Sequence, residues 1–464
     1  MRFISTRGQA PAVGFVETLL ASLAPDGGLY CPMDWPQIPP DQIAGFAGKA
    51  YSGVAAEILG LFVGDEISPQ GLRSICDQAY SGFAHPATTP LRQIGPGLHI
   101  LELFHGPSLA FKDVAMQLLA GLYEHVLAAR GETLTIVCAT SGDTGGAAVE
   151  AFAGRSNIRL VVLFPDGRIS EVQRRFITTS GAPNVRAVAV DGDFDDCQAI
   201  LKALLRDREF SAEVELGAVN SINFVRIAAQ CVYFFVAAAA LGAPARPVAF
   251  AVPTGNFGDA FAGWAAQAMG LRVERLLAAT NSNAIVANAL ETGVYKRAPL
   301  IATQSPAMDI QVASNFERLY FEASGRDGAV TRRAFDGFEQ GGALAIPPKL
   351  LANMRLILKG ASADEAQTSA AIAAAWREDC GLVDPHTAVA LAATKGVDFA
   401  ATTPLVVLGT AHPAKFPEAI EAAVGFSAPV PDAVRWVAGR RERFDHLVAD
   451  VRAVRNYVQE FVSS

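Results

Sequence analysis

Runs of β-forming residues that end in a turn and lead straight into a helical stretch recur along this chain. They constrain its fold more than any other feature. Thr133–Thr140 is followed by a glycine-rich turn and the helical stretch Ala147–Ala153. Arg159–Phe164 leads to Glu171–Thr179, and Val185–Val190 to Asp195–Arg206. Val248–Val252 runs through a second glycine-rich turn into Ala260–Met269, and Arg272–Ala279 follows as a further strand. A late apolar run, Leu405–Leu408, ends in Gly409-Thr410-Ala411-His412-Pro413. Units of this kind predict an α/β protein with open, mostly parallel sheets and helices on both faces. Ligands in such sheets sit at the carboxyl ends of the strands, where both glycine-rich turns lie.

The flanking regions read differently. Residues 1–95 are expected to be mainly helical, broken early by Pro36, Pro39 and Pro40 and closed by Pro86 and Pro90. Between about 282 and 380 the pattern is less regular, with helical segments over Pro348–Leu358 and Asp364–Arg377. This divides the chain approximately into 1–95, 96–235 and 236–464, with discontinuous domains expected.

Composition removes several classes of function. A chain of 464 residues that is 51% hydrophobic and 18% charged can bury a large core. The net charge of −8, with no basic block, argues against nucleic acid or acidic membranes as partners. The six cysteines are dispersed with no Cys-x-x-Cys pair, and Cys138 and Cys231 lie in apolar runs. Buried thiols in a reducing cytoplasm are expected. The seven histidines form no His-Glu-x-x-His pattern, so no metal is expected. The N-terminus lacks the apolar core of a signal peptide. Ile227–Ala243, the longest apolar stretch, contains Gln230 and falls short of the roughly 20 residues of a membrane span. It reads as a core helix.

Three segments carry chemistry. The turn Thr140-Ser141-Gly142-Asp143-Thr144-Gly145-Gly146 and the turn Pro253-Thr254-Gly255-Asn256-Phe257-Gly258-Asp259 each join a strand to a helix. Backbone N–H groups in such turns, with a helix N-terminus behind them, form sites for phosphate or carboxylate. Neither is a Walker loop or a Gly-x-Gly-x-x-Gly fingerprint. Taken singly, each could be a structural connection. The third segment is His105-Gly106-Pro107-Ser108-Leu109-Ala110-Phe111-Lys112-Asp113, ahead of the amphipathic stretch Val114–Ala129. It places Lys112 at a helix opening, where the dipole and apolar neighbours disfavour an ammonium. A partly neutral lysine can condense with an aldehyde cofactor. A lone lysine there would more often be simply solvated. Two anion-binding turns added to it favour a cofactor phosphate in one and a substrate carboxylate in the other.

The motifs His-Gly-Pro-Ser-x-Ala-Phe-Lys-Asp, Ser-Gly-Asp-Thr-Gly, Gly-Asn-Phe-Gly-Asp and Gly-Thr-Ala-His-Pro-Ala-Lys-Phe, in this order, resemble threonine synthase in its longer bacterial and fungal form. The resemblance runs from Asp26-Gly27-Gly28-Leu29-Tyr30 to Lys415-Phe416. It implies a pyridoxal 5′-phosphate enzyme of the tryptophan-synthase-β fold type (fold type II), with two open, mostly parallel sheet domains. The implied reaction converts O-phospho-L-homoserine and water to L-threonine and phosphate, in the cytoplasm and with no obligatory protein partner. By the same resemblance Lys112 is the cofactor lysine and catalytic base. Gly255, Asn256, Phe257, Gly258 and Asp259 hold the cofactor phosphate, and Thr410 faces the pyridine nitrogen. Ser108 and Ser141, Gly142, Asp143 and Thr144 lie on the substrate side. In Asn220-Ser221-Ile222-Asn223-Phe224-Val225-Arg226, Asn223 and Arg226 are assigned to the leaving phosphate, with a structural or surface arginine as the alternative for Arg226. Two departures, Ser108 for a common threonine and Arg168 for a common lysine, touch neither Lys112 nor the phosphate turn. The alternatives are another enzyme of the same fold type, such as a serine or threonine dehydratase or a cysteine synthase, and a non-catalytic ligand-binding relative.

Overall fold

Two mostly parallel sheets carry the chain. The computed structural model describes residues 1–464 except Ser22 and Ala218. Among the described residues, the larger sheet has six strands. Their order is Leu358–Ser362, Val273–Thr280, Val248–Pro253, Leu405–Gly409, Leu98–Glu102 and Leu91–Gly95. All neighbours are parallel except the final hairpin pair. The smaller sheet has five parallel strands: Asp445–Val448, Val185–Asp191, Ile158–Pro165, Leu134–Ala139 and Leu216–Gly217. Central strands such as Val248–Pro253 are buried at every position, as strands covered on both faces must be.

The sheets do not follow the segments 96–235 and 236–464. The hairpin Leu91–Glu102 joins the larger sheet beside Leu405–Gly409, and the C-terminal Asp445–Val448 extends the smaller one. Both additions are mixed or exposed sequences without a continuous apolar run. The expected helix Pro348–Leu358 also differs. It stops at Met354, and Leu358–Ser362 pairs in parallel with Val273–Thr280. A short apolar run such as Leu356-Ile357-Leu358 suits either period, and here pairing with the neighbouring strand decides it.

The N-terminal region is mainly helical, with one antiparallel pair, Phe3–Ser5 with Tyr30–Pro32. It packs through aromatic side chains on the helix Phe224–Ala240. The Phe224 ring lies 5.0 Å from Phe3 and 5.4 Å from Phe62. That helix is buried on nearly all faces, which explains its apolar composition. No helix among the described residues is long and apolar enough to cross a membrane. All six cysteines are free and buried, Cys138 and Cys231 included.

Candidate active site

The carboxyl ends of three strands open into one cavity of about 560 Å³. Ala139, Pro253 and Thr410 mark where each strand delivers its loop to the lining. Lys112, Asp143, Thr144, Arg226, Gly255, Asn256, Phe257, Gly258, Asp259 and Thr410 all line it. Ser108, Ser141, Gly142 and Asn223 are outside the lining.

Lys112 is the first residue of the helix Lys112–Arg130, which ends at Gly131 in the left-handed conformation. The amine is mostly buried, and its Nζ lies 3.6 Å from Asp143 Oδ2. Burial lowers the proton affinity of this amine. Asp143 opposes that effect, and Lys415 and Arg226 add to it. The backbone around it is fixed by Thr410, whose carbonyl accepts the Phe111 N–H at 2.8 Å. Lysine and Thr410 are thereby held together although they are distant in sequence.

The turn Gly255–Asp259 forms a cradle. Phe257 takes a left-handed conformation, φ +63°, ahead of the helix Gly258–Ala268. Its ring is buried against Phe316 at 5.7 Å, which anchors the turn from behind. A Cβ on Gly255 would lie 2.6 Å from the Ala307 carbonyl oxygen, so no larger residue fits that backbone. Asn315 braces the other side: its amide donates to the Asn256 and Ser221 carbonyls, both at 3.0 Å. Asn315 is in turn held by Arg318, which also donates to the Ile222 carbonyl at 2.6 Å and the Tyr30 carbonyl at 3.0 Å. The Asp-Gly-Gly-Leu-Tyr segment near the N-terminus is thus wired to the cradle.

Two buried polar atoms in the cavity wall have no partner among the described residues: Arg226 Nε and Asp259 Oδ2. Among the described residues no carboxylate pairs with Arg226, and burial pulls its guanidinium down to about 10. A buried cation of this kind is costly unless an anion joins it. Asp259 receives the Tyr233 hydroxyl, and burial pushes its carboxyl up to about 7. A side chain so occupied leaves the helix start at Gly258, with its backbone N–H groups, as the part of this segment able to favour an anion. An amine, a glycine cradle at a helix N-terminus, an unpaired guanidinium and a hydroxyl at a strand end fit pyridoxal phosphate.

The other expected site residues have different occupations. Ser108 is fully buried, and its hydroxyl and N–H both donate to Asp113, at 2.6 and 2.8 Å. Asn223 caps the helix Phe224–Ala240: its side-chain oxygen accepts from Val225 N–H at 3.0 Å, and its amide donates to the Leu19 carbonyl at 2.8 Å. Asparagine directly before a helix is a preferred cap, and both polar atoms of this side chain are engaged within the protein. Gly142 N–H donates to Thr140 Oγ1 at 3.0 Å. The Asp143 side chain has its charge already matched: Lys415 Nζ lies 2.7 Å from Oδ1, and Gln173 Nε2 3.0 Å. Burial alone would raise the Asp143 carboxyl, but Lys415 and Lys112 hold it well below the usual carboxylate range.

Two site residues escaped the sequence reading. Lys415 is buried and also donates to the Ser108 carbonyl at 2.8 Å. His386 lines the cavity from the start of the helix Pro385–Thr394, with Nδ1 2.8 Å from Asp384. Its Nε2 lies 3.2 Å from the Ala307 N–H. The Asp384-Pro385-His386 cap was a local signal for the helix start but none for the cavity.

Comparison with known proteins agrees with this geometry. The family model described as Threonine synthase N terminus matches residues 2–80, that described as Pyridoxal-phosphate dependent enzyme matches 84–408, and that described as Threonine synthase, C-terminal matches 387–458. A threonine synthase of Pseudomonas aeruginosa is 44% identical, over 99% of this chain and 98% of its own. The crystal structure of a PLP-bound threonine synthase from Brucella melitensis superposes with a TM-score of 0.97, at 47% identity and full coverage of both chains. The yeast threonine synthase structure gives 0.94 at 34% identity, covering 100% of this chain and 99% of that one. Similarity of this extent reaches well beyond the shared catalytic fold into both terminal regions, and the chain belongs to the threonine synthase family of pyridoxal-phosphate-dependent enzymes.

Proposed function

We propose that this chain converts O-phospho-L-homoserine and water to L-threonine and inorganic phosphate. The observation that carries this reading is a single cavity holding the buried Lys112 amine together with two separate provisions for phosphate. One is the Gly255–Asp259 cradle and the other is Arg226, whose buried Nε has no partner among the described residues. A substrate and a cofactor that both bear phosphate require two such places.

Pyridoxal phosphate, when bound, supplies the electron sink for charge developing on the substrate carbons. The backbone N–H groups at the start of Gly258–Ala268 would hold its phosphate, Lys112 its aldehyde carbon, and the Thr410 hydroxyl its ring nitrogen. Lys112 also takes and returns the proton at the substrate Cα, a role that needs an amine with lowered proton affinity. Arg226 receives the leaving phosphate, which supplies the counter-charge the guanidinium lacks. The exposed cations Lys202 and Arg297, also in the lining, favour entry of an anionic substrate. The backbone N–H groups of Asp143 and Thr144, where this turn reaches the cavity at a helix start, would take the substrate carboxylate.

The test is direct. Purified protein with pyridoxal phosphate and O-phospho-L-homoserine should release phosphate and form threonine in equal amounts. Absence of phosphate release, or faster formation of a keto acid from threonine, would replace this reading with a dehydratase.

A further inference from the structure

We infer that Lys415 is a positioning residue for Lys112: it anchors Asp143 so that Lys112 keeps its amine free towards the cavity instead of locking into a tight ion pair. Its catalytic relevance rests on the function proposed above. The chemistry begins with Asp143, a buried carboxylate between two buried lysines. Lys415 Nζ contacts Oδ1 at 2.7 Å, whereas Lys112 Nζ stands at 3.6 Å from Oδ2. The closer cation takes the charge, and Gln173 at 3.0 Å fixes the same oxygen.

Lys415 acts on Lys112 by a second route. Its Nζ donates to the Ser108 carbonyl at 2.8 Å. Ser108 is fastened to Asp113, the residue after Lys112, through both its hydroxyl and its N–H. One ammonium therefore clamps the carboxylate opposite Lys112 and the loop that delivers Lys112. Lys415 is held in place by the Ser170 hydroxyl on its carbonyl, at 3.2 Å, and lies 5.4 Å from the Phe176 ring.

The sign of the effect follows from every charged group facing Lys112. Asp143 comes from the helix Asp143–Phe152, Arg226 from Phe224–Ala240, Asp259 from Gly258–Ala268 and Lys415 from the short turn Pro413–Lys415. His386, from Pro385–Thr394, lines the same cavity as Asp143, and its influence on that carboxyl is favourable, smaller than that of either lysine. Removing the Lys415 charge takes away a repulsion and releases Asp143 to pair with Lys112. Both changes make Lys112 hold its proton more tightly.

The experiment reads that proton directly. Apoenzyme is acetylated competitively with acetic anhydride from about pH 6 to about pH 10, and the Lys112 peptide is quantified by mass spectrometry. Lys415→Gln should raise the Lys112 midpoint by at least about one pH unit, which is about tenfold less labelling at a fixed pH below it. Lys415→Arg should return the midpoint to the wild-type value. Asp143→Asn should shift it the opposite way, downward. A folded Lys415→Gln protein with an unchanged or lower midpoint overturns the inference, as does an arginine variant shifted as far as the glutamine one. Should Lys415→Gln fail to fold, Lys415→His keeps a donor while losing the charge above about pH 7, and the same upward shift is required of it. Labelling does not depend on turnover. A shifted midpoint in a protein that makes no threonine would refute the proposed reaction alone, and an unshifted one in an active threonine synthase would refute only this inference.

Discussion

The two glycine-rich turns begin alike and end differently. Each follows an inner parallel strand, each starts with a threonine, and each opens a helix. In the first, the Thr140 hydroxyl folds forward and accepts the N–H groups of Gly142 and Gly145, at 3.0 and 2.9 Å. In the second, the Thr254 hydroxyl donates backward to the Val252 carbonyl at 2.7 Å. The first turn thus satisfies part of its own backbone, and its glycines serve packing. A Cβ on Gly145 would lie 2.5 Å from Thr140 Cγ2, and one on Gly142, at φ +128°, would lie 2.5 Å from the Gln173 side chain. The second turn lines the cavity at all five positions from Gly255 to Asp259. Glycine content marks a tight turn; the direction of one hydroxyl separates a turn that satisfies part of its own backbone from one that lines the cavity along its length.

Lys112, between the two turns, sets the largest expected effect. Lys112→Ala should lower turnover by at least about a thousandfold, since it removes the cofactor attachment and the base together. Borohydride reduction and peptide mapping of the wild type should place the phosphopyridoxyl label on Lys112. A label on any other lysine would remove the shared centre from the comparison.

Next in size is the cradle. Gly255→Ala must displace the Ala307 carbonyl or move the turn. Cofactor affinity should fall by about a hundredfold, as expected for the loss of two or so charge-assisted hydrogen bonds. Cofactor titration measures it. Full affinity in this variant would mean that the open turn is not the phosphate site.

Arg226→Gln should raise KM for O-phospho-L-homoserine by about 10-fold to 100-fold, the range for one hydrogen bond to a charged group. Cofactor affinity should change far less. Asn223→Ala supplies the contrast within the same segment. It removes a helix cap and a bond to the Leu19 carbonyl, and should cost about 1–2 kcal/mol of stability with KM nearly unchanged. A KM rise in Asn223→Ala equal to that of Arg226→Gln would restore Asn223 as a phosphate ligand.

Much of this was legible because the signals are local. Val248–Pro253 is a continuous apolar run closed by a turn, and a helix opening at Lys112 is visible in a dozen residues. The hairpin Leu91–Glu102 was not, because Arg92, Gln93 and His99 interrupt its alternation and a neighbouring strand, Leu405–Gly409, supplies its pairing. The same holds within the site. Gly255–Asp259 and Thr410 stand out in short stretches of chain, whereas Lys415 meets Asp143 only through folding. Asn223 shows the converse: its cap position is local information, but a segment motif gave it a ligand's part. A polar residue beside a helix start has two uses, and only the three-dimensional count of its hydrogen bonds decides between them.

The smallest effects belong to the first turn and test the hydroxyl directly. Thr140→Val is close in shape and removes the acceptor for two buried N–H groups. Leaving such groups unsatisfied costs about 1–3 kcal/mol each, so thermal or denaturant unfolding should show a clear loss of stability. Cofactor affinity should stay within about threefold of wild type, since the Gly255–Asp259 cradle is untouched and this shift is below the energy of one ordinary hydrogen bond. Ser141→Ala, beside it, leaves both internal bonds in place and should change KM or kcat by less than about tenfold with cofactor retained. If Thr140→Val instead lost cofactor as severely as Gly255→Ala, the first turn would be holding the cofactor phosphate. The hydroxyl's direction would then have no bearing on which turn takes the anion.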